Sequence, residues 1–268
     1  MTTPEFVRRY REEVPAIGLN PVMEVLLNHR SVRAYLPDPL PQGMLEAIVA
    51  AASSAPTSSN VQAWSVVAVH DAAKRARLAQ IAGGQAHVRQ APVMLVWIAD
   101  LARAEAVGRA AGTVMEGLDY TETFLLGVID AALAAQNAVT AAQSLGLGTV
   151  YIGALRNDPE AVAELLCLPP RTMAVFGLVL GHPDPVAETA VKPRLPQQAV
   201  LHHDTYSADA QTAAIARHDS ATLAFRAEQG LSPERWTDLL IARLGTVASL
   251  KGRDRLRGAL QRMGITLG

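Results

Sequence analysis

Two short runs of cations, far apart in the chain, are the first candidates for chemistry. His29-Arg30-Ser31-Val32-Arg33 offers an imidazole, two guanidinium groups and a hydroxyl, and Arg30 and Arg33 are spaced to converge on one anion. Lys192-Pro193-Arg194 offers a second cationic pair, stiffened by its proline. Each run has a plainer reading: a solvated basic turn for the first, a charged surface tail for the second. The stretch from Ser144 to Asn157, S-L-G-L-G-T-V-Y-I-G-A-L-R-N, places Gly146 and Gly148 before a β-rich run and Gly153 after it. Glycines on either side of a short strand let backbone approach a flat or anionic ligand closely. The strand ends in Gly153-Ala154-Leu155-Arg156-Asn157, which can offer backbone N–H groups and a cation together as one wall of such a site. The loop from Ala55 to Trp64, with Thr57 and Gln62, is rich in hydroxyls and amides. It suits the polar edge of a heteroaromatic ring, or an ordinary Ser/Asn turn. His87, after Gly83-Gly84-Gln85, is open to a ring contact or a structural role.

The elements that must position these groups follow from periodicity and punctuation. Pro4 to Asn28 reads as helical, with Asn20-Pro21 as the cap and first turn of a second helix. Gln42 to Ser54 and Ala72 to Ile81 are helices, Ser65 to His70 is a strand, and Gly83 to His87 is a loop. Pro92 to Ala99 is an unbroken apolar run, as for a central strand. Glu105 to Leu118 fits helix or loop. Thr121 to Ser144 is a long helix, apolar nearly all round and therefore buried at the centre of the fold or at a subunit interface. Asp158-Pro159-Glu160 opens another helix, and Thr172 to Leu180 is a strand. Asp209 to Gly230 and Thr237 to Arg262 give two or three amphipathic helices, a C-terminal helical part spanning about residues 209–268. No repeat or low-complexity linker interrupts the chain, so one domain over residues 1–268 is expected.

Composition narrows the function. The 268 residues carry a formal net charge of −1 and are half hydrophobic, so no global field draws the chain to nucleic acid or anionic lipid. The long apolar helix carries Asp130, Gln136, Asn137 and Gln143, which favours a core helix over a membrane span. The N-terminus has no apolar signal region, so a soluble cytoplasmic protein is expected. The one cysteine, Cys167, sits at the apolar end of a helix pattern and reads as a buried inert thiol. There is no G-x-G-x-x-G after a strand, no G-x-x-x-x-G-K-[ST], no G-x-S-x-G and no H-E-x-x-H.

Seven motifs then occur in one order: H-R-S-V-R at 29–33, the hydroxyl-rich loop ending in Gln62, G-G-Q-A-H-V at 83–88, A-Q-N-A at 135–138, the 144–157 stretch, F-G-L-V-L-G at 176–181 and K-P-R-L-P at 192–196. In that order they resemble nitroreductase-family flavoproteins, above all the NADPH-dependent oxygen-insensitive nitroreductase and FMN reductase branch. The resemblance covers residues 20 to 207 well and the C-terminal helices weakly. It implies an α+β fold, a mostly antiparallel central sheet flanked by helices, with a long buried central helix and an interlocked homodimer holding FMN non-covalently at its interface. It implies His29, Arg30, Ser31, Lys192 and Arg194 on the FMN phosphate. Arg33, Thr57 and Gln85 would lie on the ribityl chain and the ring's polar edge, with His87 nearby. Tyr151, Ile152, Gly153 and Ala154 would run along the ring as its floor, which leaves Arg156 and Asn157 as structural support. No side chain is implied as catalytic, because the flavin carries the chemistry. Hydride would pass from NADPH or NADH through flavin N5 to a small aromatic acceptor (a nitroaromatic, a quinone or free flavin) in a ping-pong cycle. The alternative is an FMN-binding or storage protein that oxidises nicotinamides poorly. The branch's arginine-rich grip on the NADPH 2′-phosphate is reduced here to Arg235, beside Glu234 and before Trp236, which leaves the choice between NADPH and NADH open.

Overall fold

A computed structural model describes residues 4–12, 18–187 and 189–268. They form two units, one of residues up to 30 and from 189 to 250, the other of residues 31–187 and 251–268. In chain order the helices and strands are α1 (Pro4–Tyr10), α2 (Pro21–Leu27), α3 (Met44–Ser53), β1 (Trp64–Val69), α4 (Ala72–Ile81), α5 (Ala86–Gln90), β2 (Val93–Asp100) and α6 (Ala102–Ala110). There follow α7 (Thr121–Ser144), β3 (Gly148–Ile152), α8 (Pro159–Leu166), β4 (Thr172–Gly181), α9 (Gln211–Glu228), α10 (Trp236–Leu244) and α11 (Leu256–Arg262).

The second unit is built on a four-stranded antiparallel sheet in the order β1-β2-β4-β3. Side chains alternate between the two faces of a strand. On β2 this sends Val93, Leu95 and Trp97 to the face covered by α3 and α7, and Met94, Val96 and Ile98 to the face covered by α4, α5 and α8. Both faces are dry, which is why the strand reads as one apolar run rather than an alternating one. Between Trp97 and Ile98 the register with β4 shifts by a bulge. Starts and stops obey local chemistry. Asp71 caps α4 by accepting from the Lys74 N–H at 2.7 Å, and Asp158 caps α8 by accepting from Ala161 at 3.1 Å. Pro159 sits in the first turn of α8, where no amide hydrogen is needed.

Several expectations change. The Pro4 to Asn28 region holds two short helices with non-helical Gly18 to Asn20 between them, and residues 13–17 lie outside the described set. The Gly83 to His87 loop ends early, because Ala86 and His87 begin α5. The undecided Glu105 to Leu118 region is mostly helix: α6, then a short 3₁₀ turn. Helix α7 is buried on one side only. Alanines such as Ala131, Ala134, Ala135 and Ala138 face the sheet and α3, while Leu125, Ile129 and Leu133, four residues apart, are 47, 54 and 41 % exposed. Small side chains let the helix lie close to the sheet, so the bulky ones are left on the outer face. Cys167 is exposed, not buried: it is the left-handed C-cap of α8 (φ 54°), and the chain turns its thiol outward.

The first unit holds α1, α2, α9 and α10 and no strand among its described residues. Helices α9 and α10 are tied by Asp219, which accepts from the Thr237 N–H at 2.9 Å and from its hydroxyl at 2.8 Å.

Trp97 tests the packing of the sheet. It is fully buried, 5.4 Å from the Trp64 ring, and its indole N–H has no acceptor among the described residues. Trp97→Ala should cost about 3–5 kcal/mol in urea denaturation, a cavity cost. Trp97→Phe should cost far less, since it also removes a buried unsatisfied donor.

Candidate functional site

In the second unit Ser31, Arg33 and the Tyr151–Ala154 stretch lie at the sheet edge formed by β3. Ser31 pairs with Thr149 as a parallel bridge, and the Val32 N–H donates to the Thr149 carbonyl at 3.0 Å. This pairing brings Ser31 and Arg33 to β3 across more than a hundred residues of sequence. It also accounts for Gly148: a Cβ there would lie 2.7 Å from Val32 Cγ1, closer than real Cβ contacts come. The glycine therefore serves packing against Val32, and Gly146 serves the left-handed turn (φ 80°) that ends α7.

Along β3, Val150 and Ile152 point into the core while Tyr151 stands on the opposite face, 36 % exposed. Its ring meets Phe176 edge-on at 5.1 Å and its hydroxyl reaches Gln136 Oε1 at 3.5 Å. Burial raises the Tyr151 pKa, so the phenol stays protonated. Of the four residues expected as a ring floor, Ile152 has its side chain in the core and can offer only backbone. The 3₁₀ turn Gly153–Asn157 follows. Arg156 holds it from behind by donating to the Val175 carbonyl, and a Cβ on Gly153 would lie 3.3 Å from the Arg156 guanidinium. Asn157 donates to the Ile81 carbonyl at 3.2 Å and accepts from Arg253 Nε at 2.9 Å. Both residues are structural supports, in line with the sequence reading.

The loop carrying Thr57 is strained. Ser59, Asn60 and Gln62 have φ of 48°, 56° and 53°, a region that side-chain-bearing residues rarely occupy. It is held by Asp130 of α7, a carboxylate only 1 % exposed, which accepts from the Ser58 N–H at 3.2 Å and the Ala63 N–H at 3.0 Å. Asp130 had been read only as a polar residue in an apolar helix. A lone acid in such a helix is the signal that a backbone partner waits for it.

Gln85 spends its amide on the Ala82 carbonyl (2.9 Å) at the head of α5. His87 is buried, and its Nε2 has no partner among the described residues. Burial first, and the positive charge of Arg33 second, hold its pKa below the ordinary 6.5, so it is neutral at pH 7.

In the first unit, His29 and Arg30 at the end of α2 and the Lys192–Arg194 segment are tied to one residue that had not been singled out, Arg9. Its guanidinium donates to the carbonyls of Leu27 (2.7 Å), His29 (2.7 Å) and Lys192 (2.9 Å), and its own carbonyl accepts from the Arg194 N–H at 2.9 Å. Arg9 is 5 % exposed, and burial, then the charge of Arg194, lowers its pKa to about 10. Arg30 is exposed and donates from Nε to Thr189 Oγ1 at 3.1 Å. Arg235 is engaged elsewhere. It forms a fork with Asp238 at 2.9 and 2.7 Å, while Glu234 pairs with Arg226.

Similarity to known proteins bears on this arrangement. The nitroreductase family matches residues 26–182, and the nitroreductase family C-terminal domain matches residues 192–268. The chain is 42 % identical over 203 residues to an FMN reductase [NAD(P)H] of Bacillus subtilis, covering 75 % of this chain and 81 % of that protein. It is 40 % identical over 222 residues to an oxygen-insensitive NADPH nitroreductase of Salmonella typhimurium, covering 82 % and 89 %. Among solved structures, B. megaterium NfrA2 superimposes with a TM-score of 0.87 at 33 % identity, covering 93 % of this chain and all of that one. The NADPH:FMN oxidoreductase from Vibrio harveyi complexed with NAD+ gives 0.82 at 35 % identity, covering 92 % and 99 %.

His87 sets a pH dependence whose sign is fixed. Its folded pKa lies below its unfolded value of 6.5, so the unfolded chain binds the proton first. The associated stability is whole above pH 6.5 and declines as pH falls through the folded value. Thermal unfolding should shift to lower temperature between pH 7 and pH 5, and His87→Gln should flatten part of that slope.

Proposed function

This chain belongs to the nitroreductase family, and we propose that it is an NAD(P)H-dependent flavin oxidoreductase that binds FMN and reduces nitroaromatics, quinones or free flavin. The observation that carries the reading is the Ser31–Thr149 pairing, which brings a hydroxyl and guanidinium motif to the strand that ends in Tyr151–Ala154. The donor set suits FMN. Cations at His29, Arg30, Lys192 and Arg194 suit a phosphate that is doubly charged near neutral pH. The Ser31 hydroxyl suits the same phosphate, and uncharged Thr57 and Gln85, together with Arg33, suit the sugar-alcohol chain and the polar edge of the ring. The buried Nε2 of His87, near enough to Arg33 to feel its charge, is a polar atom in want of a partner.

The flavin, when bound, supplies the redox chemistry, accepting a hydride from reduced nicotinamide and passing electrons to the acceptor. The protein's share is binding and orientation. The backbone of Ile152 and Gly153 and the Tyr151 ring give the flat ring a floor. Neutral His87 and protonated Tyr151 offer hydrogen bonds without adding charge at neutral pH. Asp130 keeps the Thr57 loop in shape.

The chain acts as a soluble cytoplasmic homodimer in this proposal. Support comes from the outer face of α7, where Tyr120, Leu125, Ile129 and Leu133 form an exposed apolar stripe. Ile129→Asp should convert the dimer to monomer in sedimentation velocity and lower flavin content.

Absorbance is the direct test of function. The purified protein should be yellow, bleach under anaerobic NADPH or NADH, and regain colour with a quinone. Flavin that stays oxidised with both nicotinamides would point to a storage protein instead. Because Arg235 is committed to Asp238, Arg235→Ala should change the ratio of kcat/KM for NADPH and NADH by less than about threefold. Loss of a dedicated phosphate contact would change it tenfold or more, at about 1.4 kcal/mol per tenfold.

A further inference from the structure

We propose that α1, which lies ahead of both family-matched segments, is a clasp that presets the phosphate-binding cations, with Arg9 as its positioning residue. The inference rests on the reading of His29, Arg30, Lys192 and Arg194 as phosphate ligands. Arg9 joins their two segments. Two of its three acceptors, the Leu27 and His29 carbonyls, bracket the end of α2, and the third is the Lys192 carbonyl, 183 residues away in sequence. The Arg194 N–H returns a bond to the Arg9 carbonyl, so both cationic segments are fixed to one residue. Phe6 anchors the helix beside it, buried and stacked on Tyr10 at 6.2 Å.

The electrostatics give this clasp a purpose. Among the described residues Arg9 pairs with no carboxylate; its partners are three carbonyls, which accept its hydrogens but leave its charge in place. Arg194 carries the same sign and lowers the Arg9 pKa, and Arg30 adds a further positive charge at the end of α2. Three charge-assisted bonds from a planar, five-donor group hold the two segments in register. A bound phosphate then meets cations already in place, and the ordering cost of bringing them together does not fall on binding. A lysine at position 9 would keep the charge, but a single ammonium on a flexible stem cannot reproduce the planar fork that spans the two segments.

The test compares FMN with riboflavin, which shares the ring and ribityl chain but lacks the phosphate. Apoprotein is titrated with each flavin and binding is followed by fluorescence quenching, for the unaltered chain and for Arg9→Ala, Arg9→Lys and Arg30→Ala. Both Arg9 variants should lose roughly tenfold or more of the preference for FMN over riboflavin, about 1.4 kcal/mol per tenfold. Riboflavin affinity should stay within about twofold, under 0.5 kcal/mol. Should Arg9→Ala fail to fold, Arg9→Lys decides alone. Equal weakening of both flavins would reduce Arg9 to a general structural residue and overturn the clasp. Retained preference in the Arg9 variants with lost preference in Arg30→Ala would also overturn it, while leaving the phosphate reading intact. Retained preference in Arg30→Ala as well would overturn that reading, and the clasp with it.

Discussion

The second unit depends on burying both faces of its two central strands. β2 and β4 carry apolar side chains on either side, and their backbone groups are paired with neighbours on both flanks. Leaving either face wet would forfeit about 25 cal/mol for each Å² of apolar surface exposed, so α3 and α7 must close one face, and α4, α5 and α8 the other. With the faces closed, backbone and polar side chains are available at the sheet edge and at strand ends. The 31–33 segment lies on the β3 edge, and the Tyr151–Ala154 turn lies at the β3 end. The location of the candidate site is thus what the core leaves over.

Much of the scaffold was legible because local chemistry and tertiary packing agree. α4 and α7 have the residue limits that capping and periodicity predict, and the apolar run from Pro92 is the central strand. What was not legible depends on partners distant in sequence. Nothing near Arg9 announces that its acceptors lie at Leu27, His29 and Lys192. Nothing near Gly148 says that Val32 will lie over it. Burial direction is similarly hidden: α7 reads as apolar all round, yet its alanines do the packing and its larger residues face out. α6 escaped because only Gly108 along it is buried, so there was no stripe to read. For the candidate site, the motifs named the residues, whereas their supports, Asp130 and Arg9, came only from the fold.

Charge is distributed with similar economy. The chain is nearly neutral as a whole, and it pairs several arginines locally, as in Arg235–Asp238, Arg226–Glu234 and Arg262–Glu160. Exposed pairs of this kind contribute little to stability, about 0–1 kcal/mol each. Their larger effect is to take those arginines out of competition for anions.

The exposed thiol of Cys167 has a consequence for handling the molecule. It is the only cysteine in the sequence, so any disulfide this chain forms must join two molecules. It sits at the left-handed C-cap of α8. A maleimide dye or spin label would therefore attach at one defined position per chain, giving a ready reporter of distances within an assembled oligomer.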